Sequence, residues 1–161
     1  MCSTSVPCYD CFLIGLTDVG ALHRGRVHEQ LWNMSNGIGP FDSVKAFTDH
    51  FFALAKNMPG YPDHPFFKLL RGAFSDDSSI VFTHTDIYTT NIIMSSTSTD
   101  VLGIIDWHEA GWYPEFWEYL KTSWGINTND DWKDYVEIAI QPAYDDESQV
   151  LQILVQTGVI T

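Results

Sequence analysis

An α+β fold is predicted by two observations: apolar residues recur at three- and four-residue steps on both flanks of the chain, and short β-branched runs cluster between residues 80 and 105. The order is helices, a small β element, then helices. With 161 residues, 45% apolar and 14% aromatic, the chain suits one domain over residues 1–161 with a sizeable core.

The elements follow in order. Residues 1–36, with Pro7 and scattered glycines, read as extended or loop structure. Val44, Phe47, Phe51, Leu54 and Met58 then mark an amphipathic helix behind an N-cap at Asp42 or Ser43, ending before Pro59-Gly60. A second helix is expected over Phe66–Phe74, and Asp76-Asp77-Ser78 makes a turn. Ile80–Thr83 is a strand, while Ile92–Met94 and Val101–Ile105 form a hairpin. Pro114 suits a first helical position ahead of residues 115–122. Two more helices are expected over 130–140 and 146–157, with Gly158 as the final stop.

Charge narrows the function classes. The net charge of −13 is uneven: residues 81–161 hold only Lys121 and Lys133 against thirteen acids. Such a surface repels nucleic-acid backbones and attracts cations. Cys2, Cys8 and Cys11 are too few and too clustered for a disulfide framework, which points to a reducing, cytoplasmic setting. The early apolar run Phe12–Leu16 is too short for a signal-peptide core, and no run approaches the roughly 20 residues of a membrane span. No membrane association is expected.

The chemistry concentrates in His84-Thr85-Asp86-Ile87-Tyr88-Thr89-Thr90-Asn91 and Ile104-Ile105-Asp106-Trp107. Asp86 and Asn91 lie in a loop between two strands, and the hairpin returns Asp106 to the same end. Amide and carboxylate oxygens from Asn91 and Asp106 suit Mg²⁺, a hard cation that keeps part of its shell for water and phosphate. Asp86 is then free to accept a proton from an attacking hydroxyl.

This constellation is similar to the catalytic loop and metal-binding Asp of protein kinases. It more closely resembles the aminoglycoside phosphotransferase family, with its His-Gly-Asp-x-x-x-x-Asn followed by Ile-Asp-Trp or Ile-Asp-Phe. The segment from Ile104 to Tyr119 looks very like phosphotransferase-family proteins of filamentous and mushroom-forming fungi, and the resemblance extends over most of residues 12–160. It implies a kinase-like C-terminal lobe, mostly helical, with a small β-hairpin at the catalytic loop. Asp86 becomes the catalytic base, His84 braces the loop within that catalytic pair, and Asn91 and Asp106 hold Mg²⁺. The implied chemistry is transfer of the γ-phosphoryl group of ATP or GTP to a small-molecule hydroxyl.

The chain departs from that pattern at three points. Thr85 replaces the Gly, which matters if the position requires positive φ. Tyr88-Thr89 stand where a His-Pro or similar pair is usual. No Gly-rich loop followed by a Lys-bearing strand occurs, so the nucleotide-binding lobe is expected to be absent and turnover weak.

Two alternatives remain open. The acidic lobe suits a non-catalytic module for a cationic ligand or partner, and Glu115, Glu118, Asp130, Asp131 and Asp134 line either that face or a solvated helix surface. Cys8, Cys11, His23 and His28 fall one residue short of a zinc-finger spacing, although Gly25 interrupts the required helix. Trp107, Trp112, Trp117 and Trp124 read as core rather than as a sugar-stacking platform. His50, His64 and His108 read as ordinary helix or turn residues.

Overall fold

The computed structural model describes residues 18–22, 25–27, 37–53, 60–124, 131–140 and 144–156. The four zinc-spaced residues Cys8, Cys11, His23 and His28 lie outside them, as do Leu54, Met58 and Asp130. The described architecture is mixed α+β, and no described helix is long and apolar enough to cross a membrane.

The chain enters through β1 (Gly20–Ala21), flanked by single bridges from Val19 to Phe41 and from Val27 to Ile38. Val19 and Val27 are fully buried, so this loop-like segment already contributes to the core. Helix α1 (Val44–Ala53) starts where the Ser43 Oγ accepts from the Ala46 N–H at 3.1 Å, identifying Ser43 as the cap. Its apolar face buries Val44, Phe47, Phe51 and Phe52. Helix α2 (Pro65–Arg71) has Pro65 at its start and the His64 ring accepting from the Phe66 N–H. The Arg71 guanidinium ties these helices together through Asp49, the Phe74 carbonyl and Asp76.

The β region holds two small sheets. The hairpin of β3 (Ile92–Met94) and β4 (Val101–Ile104) forms where the β-branched runs predict it. The other sheet contains β2 (Ile80–Thr83) and β5 (Gly111–Pro114), whose last residue the sequence predicts as a helix start. β5 is central, antiparallel to β1 on one side and β2 on the other, with Thr83 opposite Gly111 and Ile80 opposite Pro114. Pro114 therefore ends a strand and does not open a helix. Helix α3 starts at Trp117 and runs to Trp124. Pairing with β2 overrides the helical preference of Pro114 because it satisfies the polar backbone of a buried segment: Gly111, Tyr113 and Pro114 are all buried.

Helix α3 is the hub of the core, packing on α1, on α4 (Trp132–Ala139) and on α5 (Asp145–Gln156). Trp117 is fully buried and meets Phe47 edge to face at a centroid distance of 4.9 Å. Leu120, Val136, Leu151 and Leu154 complete this apolar contact between helices. Core placement holds for Trp117, whereas Trp107 is 46% exposed and stacks on Phe82.

Candidate functional site

The site lies where β2, the β3–β4 hairpin and α3 meet. His84-Thr85-Asp86 leave the end of β2, Asn91 closes a 3-10 turn over Thr89–Asn91, and Asp106 lies two residues beyond β4. The Asn91 side-chain amide donates to the Asp86 carbonyl at 2.9 Å and to the Asp86 carboxylate Oδ2 at 2.8 Å. One side chain therefore fixes both the backbone and the carboxylate of Asp86. The Asn91 Oδ1 is left as the acceptor atom of that amide, its orientation assigned by these bonds.

His84 braces the loop from behind. The Asp86 N–H donates to its Nδ1 at 3.2 Å, so the Nε2 carries the proton that meets the Ile105 carbonyl at 3.0 Å. Both ring nitrogens are thus occupied by backbone, which suits an orienting group better than a proton carrier. Trp107 packs against the ring edge to face at 4.4 Å. The Ile105 N–H donates to the Asn91 carbonyl at 2.9 Å, linking the hairpin exit to the Asp86 loop.

Structure joins Asp86, Asn91 and His84 by direct bonds and brings in Asp106 through the backbone of its neighbour Ile105. The Asp106 side chain is exposed, and it does not cap the following 3-10 turn at Trp107–Glu109. Its backbone is left-handed, with φ 66° and ψ 59°, a conformation that Asp tolerates better than most residues. Thr85 is also left-handed at φ 70°, which for a β-branched residue is an outlier. Thr85 therefore occupies a positive-φ position of the kind that favours glycine.

The bonds that hold Thr85 there come from residues the sequence reading placed elsewhere. The Glu118 carboxylate accepts from two successive amides, His84 N–H at 2.6 Å and Thr85 N–H at 3.0 Å. The Thr85 hydroxyl donates to the Glu109 carbonyl at 3.2 Å, as does the Tyr113 hydroxyl. Glu118 is thus neither a solvated surface acid nor part of a ligand-lining face. Burial raises its carboxyl pKa above the ordinary range, outweighing the two amide bonds and the Lys121 charge that favour the anion. Glu118 and Lys121 are the only charged residues of α3 and share one of its faces, but nothing in the local pattern marks that face as buried.

The remaining acids behave differently. Glu115 is half-buried and accepts from the Ser79 N–H at 3.3 Å, while Asp131 and Asp134 are exposed around the start of α4. Among the described residues, no group of three or more His, Cys, Asp and Glu side chains converges to hold a metal ion. The donors at hand are the Asn91 amide oxygen and the Asp106 carboxylate. Such a pair suits a cation that retains water or phosphate ligands, not a closed cage.

No family model, curated protein or solved structure matches this chain.

Proposed function

We propose that the chain is a kinase-like phosphotransferase lobe of the aminoglycoside phosphotransferase type, acting on the hydroxyl of a small molecule. The observation that carries the reading is the pair of hydrogen bonds that the Asn91 amide donates to the Asp86 carbonyl and carboxylate, with His84 fixing the same loop. An acceptor hydroxyl needs such a carboxylate held still, because phosphoryl transfer depends on positioning more than on covalent help.

In this reading Asp86 orients the hydroxyl and takes up its proton. Asn91 and Asp106 would hold Mg²⁺ together with ATP or GTP, and the ion would neutralise charge on the phosphates. Oxygen donors from an amide and a carboxylate are consistent with that ion. The sequence contains no Gly-rich loop followed by a Lys-bearing strand, so weak nucleotide affinity and slow turnover are expected of these residues alone.

The test uses Mn²⁺ in place of Mg²⁺ with millimolar ATP, read by paramagnetic broadening of backbone amides. Selective broadening at Asn91 and Asp106, lost in Asp106→Ala, is expected. Equal broadening in Asp106→Ala, or none around residues 86–106, overturns the proposal. The concentration of negative charge in residues 81–161 favours a second reading, a non-catalytic module for a cationic ligand. That reading predicts shifts on α4 and α5 with a quaternary amine and without nucleotide.

A further inference from the structure

Three charged side chains lie beneath the Asp86 loop. Lys121 and Glu109 form an ion pair at 3.7 Å, with side chains only 9% and 6% exposed. Glu118 sits three residues before Lys121 on α3, on the same face of the helix, and its carboxylate grips the His84 and Thr85 amides. The Glu109 main chain receives the Thr85 hydroxyl. The left-handed Thr85 is therefore held by the Glu118 carboxylate and by the main chain of Glu109, whose side chain pairs with Lys121.

Burying one carboxylate without a compensating charge is costly, and two close together repel as well. We propose that Lys121 is a positioning residue of the Asp86 loop, its ammonium compensating both Glu109 and Glu118 so that the Glu118 carboxylate stays ionised and keeps its hold on the His84–Thr85 backbone. An ionised carboxylate accepts stronger bonds from amides than a neutral one does, so the charge of Lys121 acts on loop geometry through Glu118. The groups facing Glu118 are His84 from the loop after β2 and Lys121 from its own helix, and Lys121 in turn pairs with Glu109. The loop's catalytic purpose rests on the phosphotransferase reading; the coupling of Lys121 to Glu118 does not.

The experiment is a pH titration of the whole chain by NMR, following the Glu118 carboxyl carbon and the His84 and Thr85 amides, with neither metal nor nucleotide present. In Lys121→Met the Glu118 midpoint is expected to rise by about one pH unit or more, and both amides to titrate with it. Lys121→Arg is expected to restore the original midpoint, since it keeps the charge. Lys121→Gln is expected to raise the midpoint as Lys121→Met does, since it removes the same charge while keeping a polar end. If Lys121→Met fails to fold, Lys121→Gln decides by itself. An unchanged Glu118 midpoint in the charge-removing variants of Lys121 overturns the inference and reduces Lys121 to a packing residue. Because nothing is bound during the titration, these shifts can appear in a chain that fails the Mn²⁺ test, so the two readings fall separately.

Discussion

At the scale of single residues, Thr85 shows how a position can carry strain and compensation together. A non-glycine residue at φ 70° costs about 1–2 kcal/mol, and the hydroxyl bond to the Glu109 carbonyl returns about 1 kcal/mol. Thr85→Gly relieves the strain but loses that bond and adds about 0.5–1 kcal/mol of backbone entropy cost, so its stability should stay within about 1 kcal/mol of the parent. Thr85→Val keeps the strain and loses the hydroxyl, and is expected to cost about 1–2 kcal/mol. Urea denaturation of the two variants checks this order; a Val variant at least as stable as the Gly variant would refute it. Asp86, Asn91 and Asp106 were visible as candidates because oxygen-bearing side chains at loop positions stand out. Glu118 was not, since an acid on a helix resembles an ordinary surface residue until tertiary packing turns it inward.

Among the elements, β5 and the β3–β4 hairpin contrast in how much packing constrains them. A Cβ added at Gly111 meets the Gly20 carbonyl oxygen at 2.5 Å and the Ala21 Cα at 2.9 Å. Both contacts are backbone, so β1 must move aside. Gly111→Ala is expected to cost about 1–3 kcal/mol, the usual scale of overpacking. Gly103 in β4 has nothing within 4 Å of the same added atom. Gly103→Ala should be neutral or stabilising by up to about 1 kcal/mol. Thermal melts of the two variants make the comparison, and equal destabilisation would contradict the sheet register. The hairpin also exposes Leu102 at 68%. Leu102→Lys is therefore expected to shift stability by no more than about 0.5 kcal/mol. A chemical-denaturation loss on the scale of a core leucine would show that this face is covered.

For the molecule as a whole, charge sets the response to pH. Burial raises the carboxyl pKa values of Glu118 and Glu147 in the folded chain. Groups with raised folded values bind protons more readily when folded, so their contribution to stability is greatest below the ordinary glutamate value and is lost as pH rises through the folded value. Asp49 runs the other way. Burial opposes its ionisation, but bonds and charges from Lys45 and Arg71 outweigh burial and lower its pKa. The Asp49 contribution is present above the ordinary aspartate value and disappears as pH falls through the folded one. The net charge of −13 adds self-repulsion that also eases on acidification. Burial lowers the His50 pKa and so opposes this trend below the ordinary imidazole value, but two raised carboxyls and the easing self-repulsion outweigh one imidazole: stability should rise as pH drops from neutral toward the ordinary glutamate range, then fall in stronger acid. Urea midpoints across a pH series at fixed ionic strength test this. A steady rise in stability from acid to neutral pH would exclude it.

What the amino-acid order determined by itself was local: the amphipathic face of α1, the β-branched hairpin, the positions of α4 and α5, and the spacing of Asp86, Asn91 and Asp106. Each depends on residues near one another in the chain, where side-chain period and turn preference dominate. Tertiary structure decided what joins distant segments. It made Gly111–Pro114 a strand by pairing it with β2, and it drew Glu118 onto amides 33 and 34 residues away. It also placed Lys121 in a buried charge cluster that no local pattern specifies. The physical reason is that a buried backbone or charge must find partners wherever the fold brings them, and that requirement overrides the preference of the residue alone.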